Sequence, residues 1–347
     1  MIKVLEEGFN SIVLDLGREG YFRYGISPSG VLDEYSFRLG NIFLRNKENT
    51  PQIEINIFGP TLEFLDDKII SIFGGDIEAY LNGNRINMYE PIFVKKGSIL
   101  SLKEVKTGLR SYLIIQGGIS VEKFLGSASY DKYLNKGIKL KKGMIIKTKP
   151  YLNKEVLKRF FPDNFKRDFN QNIFRVILGP DDDRFLNESI EMFFKEFWEI
   201  SERSDRSAIR LLGEPLKFKE GKETIISEGV NIGTIQVPQN GLPIILLKDR
   251  PTTGGYPKIG NVIKVDISIL SQKRFKEKIK FERVSLEEAH KILKEMEEKI
   301  EKFKEILGVI KNYYIIFNNK KYFIKIEEIE DEKSFNQHWL WWKFFNL

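Results

Sequence analysis

The sequence has no cysteine and only two histidines among its 347 residues. The first absence removes disulfides, thiolate nucleophiles and cysteine-held zinc sites together. His290 lies in a charged helical stretch and His338 near the C-terminus, without companions at ligand or catalytic spacing. No metal site and no Ser-His-Asp hydrolase is expected from them. No apolar run is long enough to cross a bilayer, and the opening MIKVLEEGF lacks the regions of a signal peptide, so a cytoplasmic location without a membrane partner is expected. Charge of one sign is nowhere concentrated: the net +7 comes from 56 basic and 49 acidic residues dispersed along the chain. With no nucleic-acid-binding motif either, no nucleic-acid partner is expected.

What is present is a globular composition, 41% hydrophobic and 13% aromatic, in a chain long enough for about two domains. Strand signals dominate the first half: Ile53 to Phe58, Ile69 to Phe73, Ile92 to Val94 after the turn at Asn82-Gly83-Asn84, and Tyr112 to Ile115 before Gly117-Gly118. Short strands punctuated by turns predict a barrel or sandwich. One helix interrupts them from Glu34 to Leu44, with Asp33 as its cap. Residues 151–172 are charged and aromatic without a strand pattern and read as a connector. Strands resume at Phe174 to Leu178, Ile209 to Leu212, Thr224 to Ile226, Thr234 to Val237 and Ile244 to Leu247, with a short helix capped by Asn187 and running to Phe194. The boundaries are thus a first β unit at 1–150, a connector, a second β unit at 173–284, and a C-terminal region at 285–347.

In that last region Ser285 and Glu288 form a capping box, Leu286 to Leu307 hold a 3-to-4 apolar spacing, and Gly308 can close the helix. Tyr313 to Phe317 and Tyr322 to Ile326 then predict a hairpin turning at Asn318-Asn319. No Met-Lys-Met biotinylation motif follows it. The tail carries Trp339, Trp341, Trp342, Phe344 and Phe345, a cluster expected to dock on this chain or on a partner.

The stretch IQVPQNGLPIILLKDRPTTGGYPKIGNVI, residues 235–263, has the density of polar groups that marks a site. Ile244 to Leu247 is too short for a typical helix and reads as a buried strand. A rigid strand then releases Lys248, Asp249 and Arg250 into a turn, where Gly254 and Gly255 permit positive φ and admit a ligand close to the backbone. Arg250 and Lys258 suit a carboxylate or phosphoryl group, and glycine amides an oxyanion. The plain alternative is a hairpin loop of solvated charges.

The segment closely resembles the signature of the biotin-dependent carboxyltransferase-like family, also called allophanate hydrolase subunit 2 proteins, which includes the C subunit of bacterial 5-oxoprolinase and the regulator KipA. Further matches follow in order: DLGREG at Asp15–Gly20, GISPSGVLD at Gly25–Asp33, EINIFGP at Glu54–Pro60, QGGI at Gln116–Ile119, then Leu125-Gly126-Ser127, Leu178-Gly179-Pro180, Ser204-Asp205-Arg206, Ile209-Arg210-Leu211 and Ser227–Val230. The likeness covers residues 4 to 290 and implies that both β units are cyclophilin-like barrels. It departs at Leu14, at Ala128 in place of an arginine, at Tyr130 to Lys136 where a longer glycine-rich loop is usual, at Ser207-Ala208, and at Pro251.

Three groups of residues follow as candidates. The first is Asp249, Arg250, Thr253, Gly254, Gly255, Tyr256 and Lys258 with Gln236, of which Asp249, Arg250, Tyr256 and Lys258 carry catalytic roles; the second is Ser204, Asp205, Arg206 and Arg210; the third is Asp15, Arg18 and Asp33. Asp205 can instead simply pair with an arginine, and Asp33 simply cap its helix. The resemblance implies ATP-dependent opening of 5-oxoproline to glutamate, ATP with Mg belonging to a 5-oxoprolinase complex whose other members are a KipI-like protein and a LamB/YcsF-like protein. Amide resonance protects a lactam carbonyl, and phosphorylation of its oxygen removes that protection. The alternatives are a biotin-dependent carboxyltransferase acting on a small amide, its biotin arriving on another chain, and a KipA-like regulator that binds a KipI-like partner.

Overall fold

In the computed structural model, alternating and apolar runs of the first 150 residues pair into one nine-stranded sheet. The structure describes residues 1–150, 152–308, 310–317, 320–327 and 343–345. The strands are β1 (Ile2–Glu6), β2 (Ile12–Leu14), β3 (Gln52–Asn56), β4 (Thr61–Phe64), β5 (Lys68–Leu81), β6 (Asn84–Ile86), β7 (Ile92–Val94), β8 (Ile99–Ile115) and β9 (Ile145–Ile146). Their path runs β2-β3-β8-β4-β1-β9. The segment leading into β9 bonds back to β2, the Val13 amide donating to the Ile138 carbonyl and the Leu140 amide to the Ser11 carbonyl, each at 2.9 Å. The ends of the path are therefore linked, around a core that includes Val4, Ile53, Phe64, Ile72 and Leu113.

Helix α1 (Glu34–Phe43) starts where expected. Asp33 accepts from the Ser36 amide at 3.1 Å and from its hydroxyl at 2.7 Å, satisfying a donor that the helix start leaves open. Phe37 meets Tyr112 edge-on. The connector packs rather than dangles: Phe161 is buried against Phe43 and Phe73, and Arg159 donates to the Ile42 and Phe43 carbonyls.

The second half contains β10 (Ile173–Leu178), β11 (Trp198–Ile200), β12 (Ala208–Leu212), β13 (Glu228–Gly229), β14 (Thr234–Gln236), β15 (Ile244–Leu246), β16 (Thr253–Gly254), β17 (Lys258–Val262) and β18 (Lys278–Arg283). Seven of these close a barrel in the order β10-β17-β14-β15-β12-β11-β18, while β13 and β16 form a separate two-stranded ribbon. Helix α2 (Asn187–Lys195) corrects one expectation. Its cap is Leu186, without a side-chain bond, and Asn187 is already helical. Helix α3 (Lys264–Leu270) is not announced by the sequence, because its apolar V-x-I-x-I spacing reads equally well as a strand. The two halves share packing: Leu32, from the first, belongs to the core of the second.

The chain divides into two compact units, Met1–Leu293 and Lys294–Leu347. Helix α4 (Leu286–Ile306) begins at the predicted capping box, the Ser285 amide donating to Glu288 at 2.7 Å and the Glu288 amide to the Ser285 hydroxyl at 3.1 Å. Gly308 follows with φ of 69°. In the second unit β19 (Ile310–Phe317) and β20 (Lys320–Glu327) are antiparallel, with Phe317 opposite Lys320, and β21 (Lys343–Phe345) pairs with β20. The turn at Asn318-Asn319 and Trp339, Trp341 and Trp342 lie outside the described residues. No described helix is long and apolar enough to cross a membrane.

Candidate functional site

The run that becomes β15 is seated between β12 and β14, and its exit is held by main-chain bonds to the turn before β12. The Leu247 amide donates to the Ser207 carbonyl at 2.8 Å and the Asp249 amide to the Arg206 carbonyl at 3.1 Å. The K-D-R and S-D-R motifs are thus laid side by side.

Lys248 reaches across to the first half, donating to Glu34 at 2.6 Å and to the Leu16 carbonyl at 3.3 Å. Burial opposes the charge on Glu34, but Lys248 and Lys264 outweigh it and hold the carboxyl below its ordinary value. In return Ser27 donates to the Lys248 carbonyl at 2.8 Å. Asp249 is buried and accepts from Arg206 Nε at 3.0 Å, leaving Oδ1 without a partner. Arg206 gives its other nitrogens to Glu54 and to the Gly30 carbonyl. Burial opposes this guanidinium too, yet Asp249 and Glu54 together hold it above its usual value. Glu54 also accepts from the Tyr112 hydroxyl at 2.9 Å, whose oxygen receives the Asp33 amide at 3.0 Å. Asp33 completes the network by accepting from Gln272 at 2.9 Å. Burial pushes the Asp33 carboxyl up, against the pull of Gln272 and Ser36.

Arg250 is different. It is only 3% exposed, donates to the Val230 carbonyl at 3.2 Å and the Leu247 carbonyl at 3.1 Å, and lies 4.8 Å over the Phe22 ring. No carboxylate among the described residues pairs with it, and burial alone lowers its pKa to about 10, so it remains a cation at neutral pH. It faces a cleft of 430 Å³ lined by Pro251 from the second half and by Gly25, Ile26, Ser27, Asp131, Tyr133 and Leu134 from the first. Asp131, the other charge in this lining, is engaged: it accepts from Arg18 at 3.0 Å and from the Tyr133 and Leu134 amides at 2.9 and 3.0 Å. The cleft therefore presents one uncompensated positive charge among largely apolar walls. One cation among apolar walls is chemically suited to a small anion with a compact neutral body.

The other candidates fall elsewhere. Asp15 is saturated by the Gly17 and Ala128 amides at 3.0 and 2.8 Å and by the Ser127 and Ser129 hydroxyls at 2.5 and 2.6 Å. Arg18 anchors Asp131 and the Ser129 carbonyl. Ser204 accepts from the Arg210 amide at 3.0 Å, and Arg210 is exposed on β12. Asp205 caps its own turn at the Ser207 and Ala208 amides and pairs with Lys132 at 2.9 Å. Burial raises the Asp205 pKa, but Lys132 and those amides prevail and lower it.

Thr253, Gly254, Gly255 and Tyr256 lie on or beside the β13–β16 ribbon, with Tyr256 43% exposed. The pair Gly254-Gly255 does not adopt the positive φ expected of it. A Cβ at 254 would stand 2.2 Å from Gln236 Nε2, so the end of that side chain would have to shift to admit one. Gln236 itself is buried and donates to the Tyr256 carbonyl at 3.4 Å. Lys258 is neutralised by Glu228 at 2.5 Å and Asp181 at 3.3 Å. These two outweigh its desolvation and raise its pKa.

Phe22, Glu54, Lys132, Tyr133 and Leu134 are not among the candidate site residues read from sequence, although the last three lie in the Tyr130–Lys136 loop. The signals for Glu54 are its place at the head of the EINIFGP match and a carboxylate inside an otherwise apolar strand.

Comparison with known proteins agrees with this architecture. Residues 24–283 match the family described as carboxyltransferase domain, subdomain A and B. The chain belongs to that family. It is 34% identical over 314 residues to the 5-oxoprolinase C subunit of Haemophilus influenzae, covering 88% of this chain and 99% of that protein. With the 5-oxoprolinase C subunit of Escherichia coli it shares 36% identity over 293 residues, covering 84% and 94%. The crystal structure of K. lactis urea amidolyase superposes with a TM-score of 0.81 at 30% identity, covering 87% of this chain but only 20% of the amidolyase.

Proposed function

We propose that this chain is the C subunit of a 5-oxoprolinase complex and that Arg250 seats the carboxylate of 5-oxoproline during its ATP-dependent opening to glutamate. The observation that carries the reading is a buried guanidinium, without a carboxylate partner among the described residues, in a cleft between the two β halves. A guanidinium already stripped of water binds a carboxylate strongly, because its desolvation cost is met on folding. The neutral lactam ring suits walls made by Ile26, Leu134 and Pro251. Asp249 orients the turn, and Tyr256 contributes from the exposed ribbon. A single guanidinium without a carboxylate partner fits one carboxylate better than a triphosphate, so ATP with Mg is assigned to the KipI-like and LamB/YcsF-like partners. Support for the assignment comes from the two relatives named as 5-oxoprolinase C subunits, which align over almost their whole length.

The test is reconstitution by omission. The three proteins together hydrolyse ATP in response to 5-oxoproline, and leaving out this chain abolishes the response; a response that survives omission overturns the assignment. The likeness to urea amidolyase supports a second reading, transfer of a carboxyl group to a small amide, with biotin delivered on a separate chain. That reading gains if turnover requires bicarbonate and a biotinylated partner instead. A KipA-like regulatory role gains if the chain binds a KipI-like protein and no chemistry depends on it.

A further inference from the structure

The Arg250 guanidinium is held by the Val230 and Leu247 carbonyls and over Phe22, but the turn that carries it has little regular structure of its own and needs an anchor. The turn is tied to residue 206 at two points: the Asp249 amide donates to the Arg206 carbonyl at 3.1 Å, and Arg206 Nε donates to Asp249 Oδ2 at 3.0 Å. A two-point contact restrains rotation as well as distance. The rest of the Arg206 fork leaves the barrel and enters the first half, one nitrogen donating to Glu54 on β3 and the other to the Gly30 carbonyl. Glu54 is fully buried and fixed in turn by the Tyr112 hydroxyl at 2.9 Å, with Arg110 Nε 3.8 Å away. The same two halves form the cleft, and the chain from Gly25 to Ser27 that lines it lies just before Gly30.

We propose that Glu54 and Arg206 are positioning residues for the anion seat: a buried strut from β3 through Arg206 to Asp249 that holds the Arg250 guanidinium toward the cleft, neither residue touching the bound anion. This rests on the reading of Arg250 as the carboxylate seat. Arg206 meets the requirements of such a strut because its planar fork can serve Asp249, Glu54 and a carbonyl at once, which an ammonium cannot. Glu54 supplies the charge that makes burial of that fork tolerable.

The reconstituted three-protein complex tests this through Glu54→Gln and Arg206→Lys, each made alone and in an Arg250→Ala background. Each single change is expected to raise KM for 5-oxoproline by roughly 10-fold while kcat stays within about twofold, as loss of ground-state positioning does. In the Arg250→Ala background the same changes are expected to leave KM where Arg250→Ala alone puts it, because the strut then has nothing to position. Costs that multiply in that background overturn the proposal, as does an unchanged KM in the single variants. Should Glu54→Gln fail to fold, Arg206→Lys, which keeps the charge beside Glu54, carries the comparison. If the 5-oxoproline response persists with the chain omitted, the functional reading falls and the strut with it; if the chain is required but the costs multiply, only the strut falls.

Discussion

Asp33 shows how one side chain can be read correctly and still hold more than its sequence reveals. Its capping role was legible, since an aspartate directly before an amphipathic run has few better uses. Its burial was not, because Gln272 and Tyr112 arrive from far along the chain. Burial raises the Asp33 carboxyl above its ordinary 3.8. An acid raised in the folded state lowers stability as the pH climbs past that ordinary value, since the unfolded chain then ionises more readily. Asp33→Asn removes this penalty, whatever fixed cost comes from turning Oδ2 into a donor facing Gln272. The difference in Tm between Asp33→Asn and wild type is therefore expected to move in the variant's favour between about pH 4 and about pH 7. A difference that stays flat or moves the other way counts against the assignment. Arg206 was likewise visible as a motif but not as a link, because Glu54, Gly30 and Asp249 are brought to it only by the fold.

The β13–β16 ribbon carries the most recognisable string in the sequence, and its glycines do not use the positive φ that the string suggests. At Gly254 the close neighbour is the Gln236 amide, which an added Cβ would have to displace. Gly254→Ala is expected to cost about 1–3 kcal/mol of stability in urea denaturation, the range for overfilling a packed site. Adding Gln236→Ala removes the colliding group, so the pair should cost clearly less than the sum of its parts. Strict additivity would show that the approach is not what keeps the glycine. Elements with local signals were legible: the α4 capping box, the Asp33 cap and the strand at β15. Elements whose extent is set by partners were not. Strands β5 and β8 run unbroken through Gly74-Gly75 and Gly108, where glycines suggest a stop, because each continues to pair with the other across bulges. Helix α3 was missed for the opposite reason, an alternation that resembles a strand.

Within Met1–Leu293 the two β halves are joined by ion pairs, that of Arg206 with Glu54 buried, as well as by packing. Leu32 enters the second core, Lys248 pairs with Glu34, and Arg206 spans from Asp249 to Glu54. Buried pairs of this kind add little net stability when complete but cost several kcal/mol when one member is removed, so they specify one arrangement of the halves. That arrangement creates the cleft and leaves Arg250 as its uncompensated charge. The most direct measurement is therefore KM for 5-oxoproline in the reconstituted complex carrying Arg250→Ala. Losing charge-assisted bonds worth about 1.5–3 kcal/mol predicts a rise of roughly 10- to 150-fold. A KM equal to that of the wild-type complex would contradict the placement of the substrate carboxylate at Arg250.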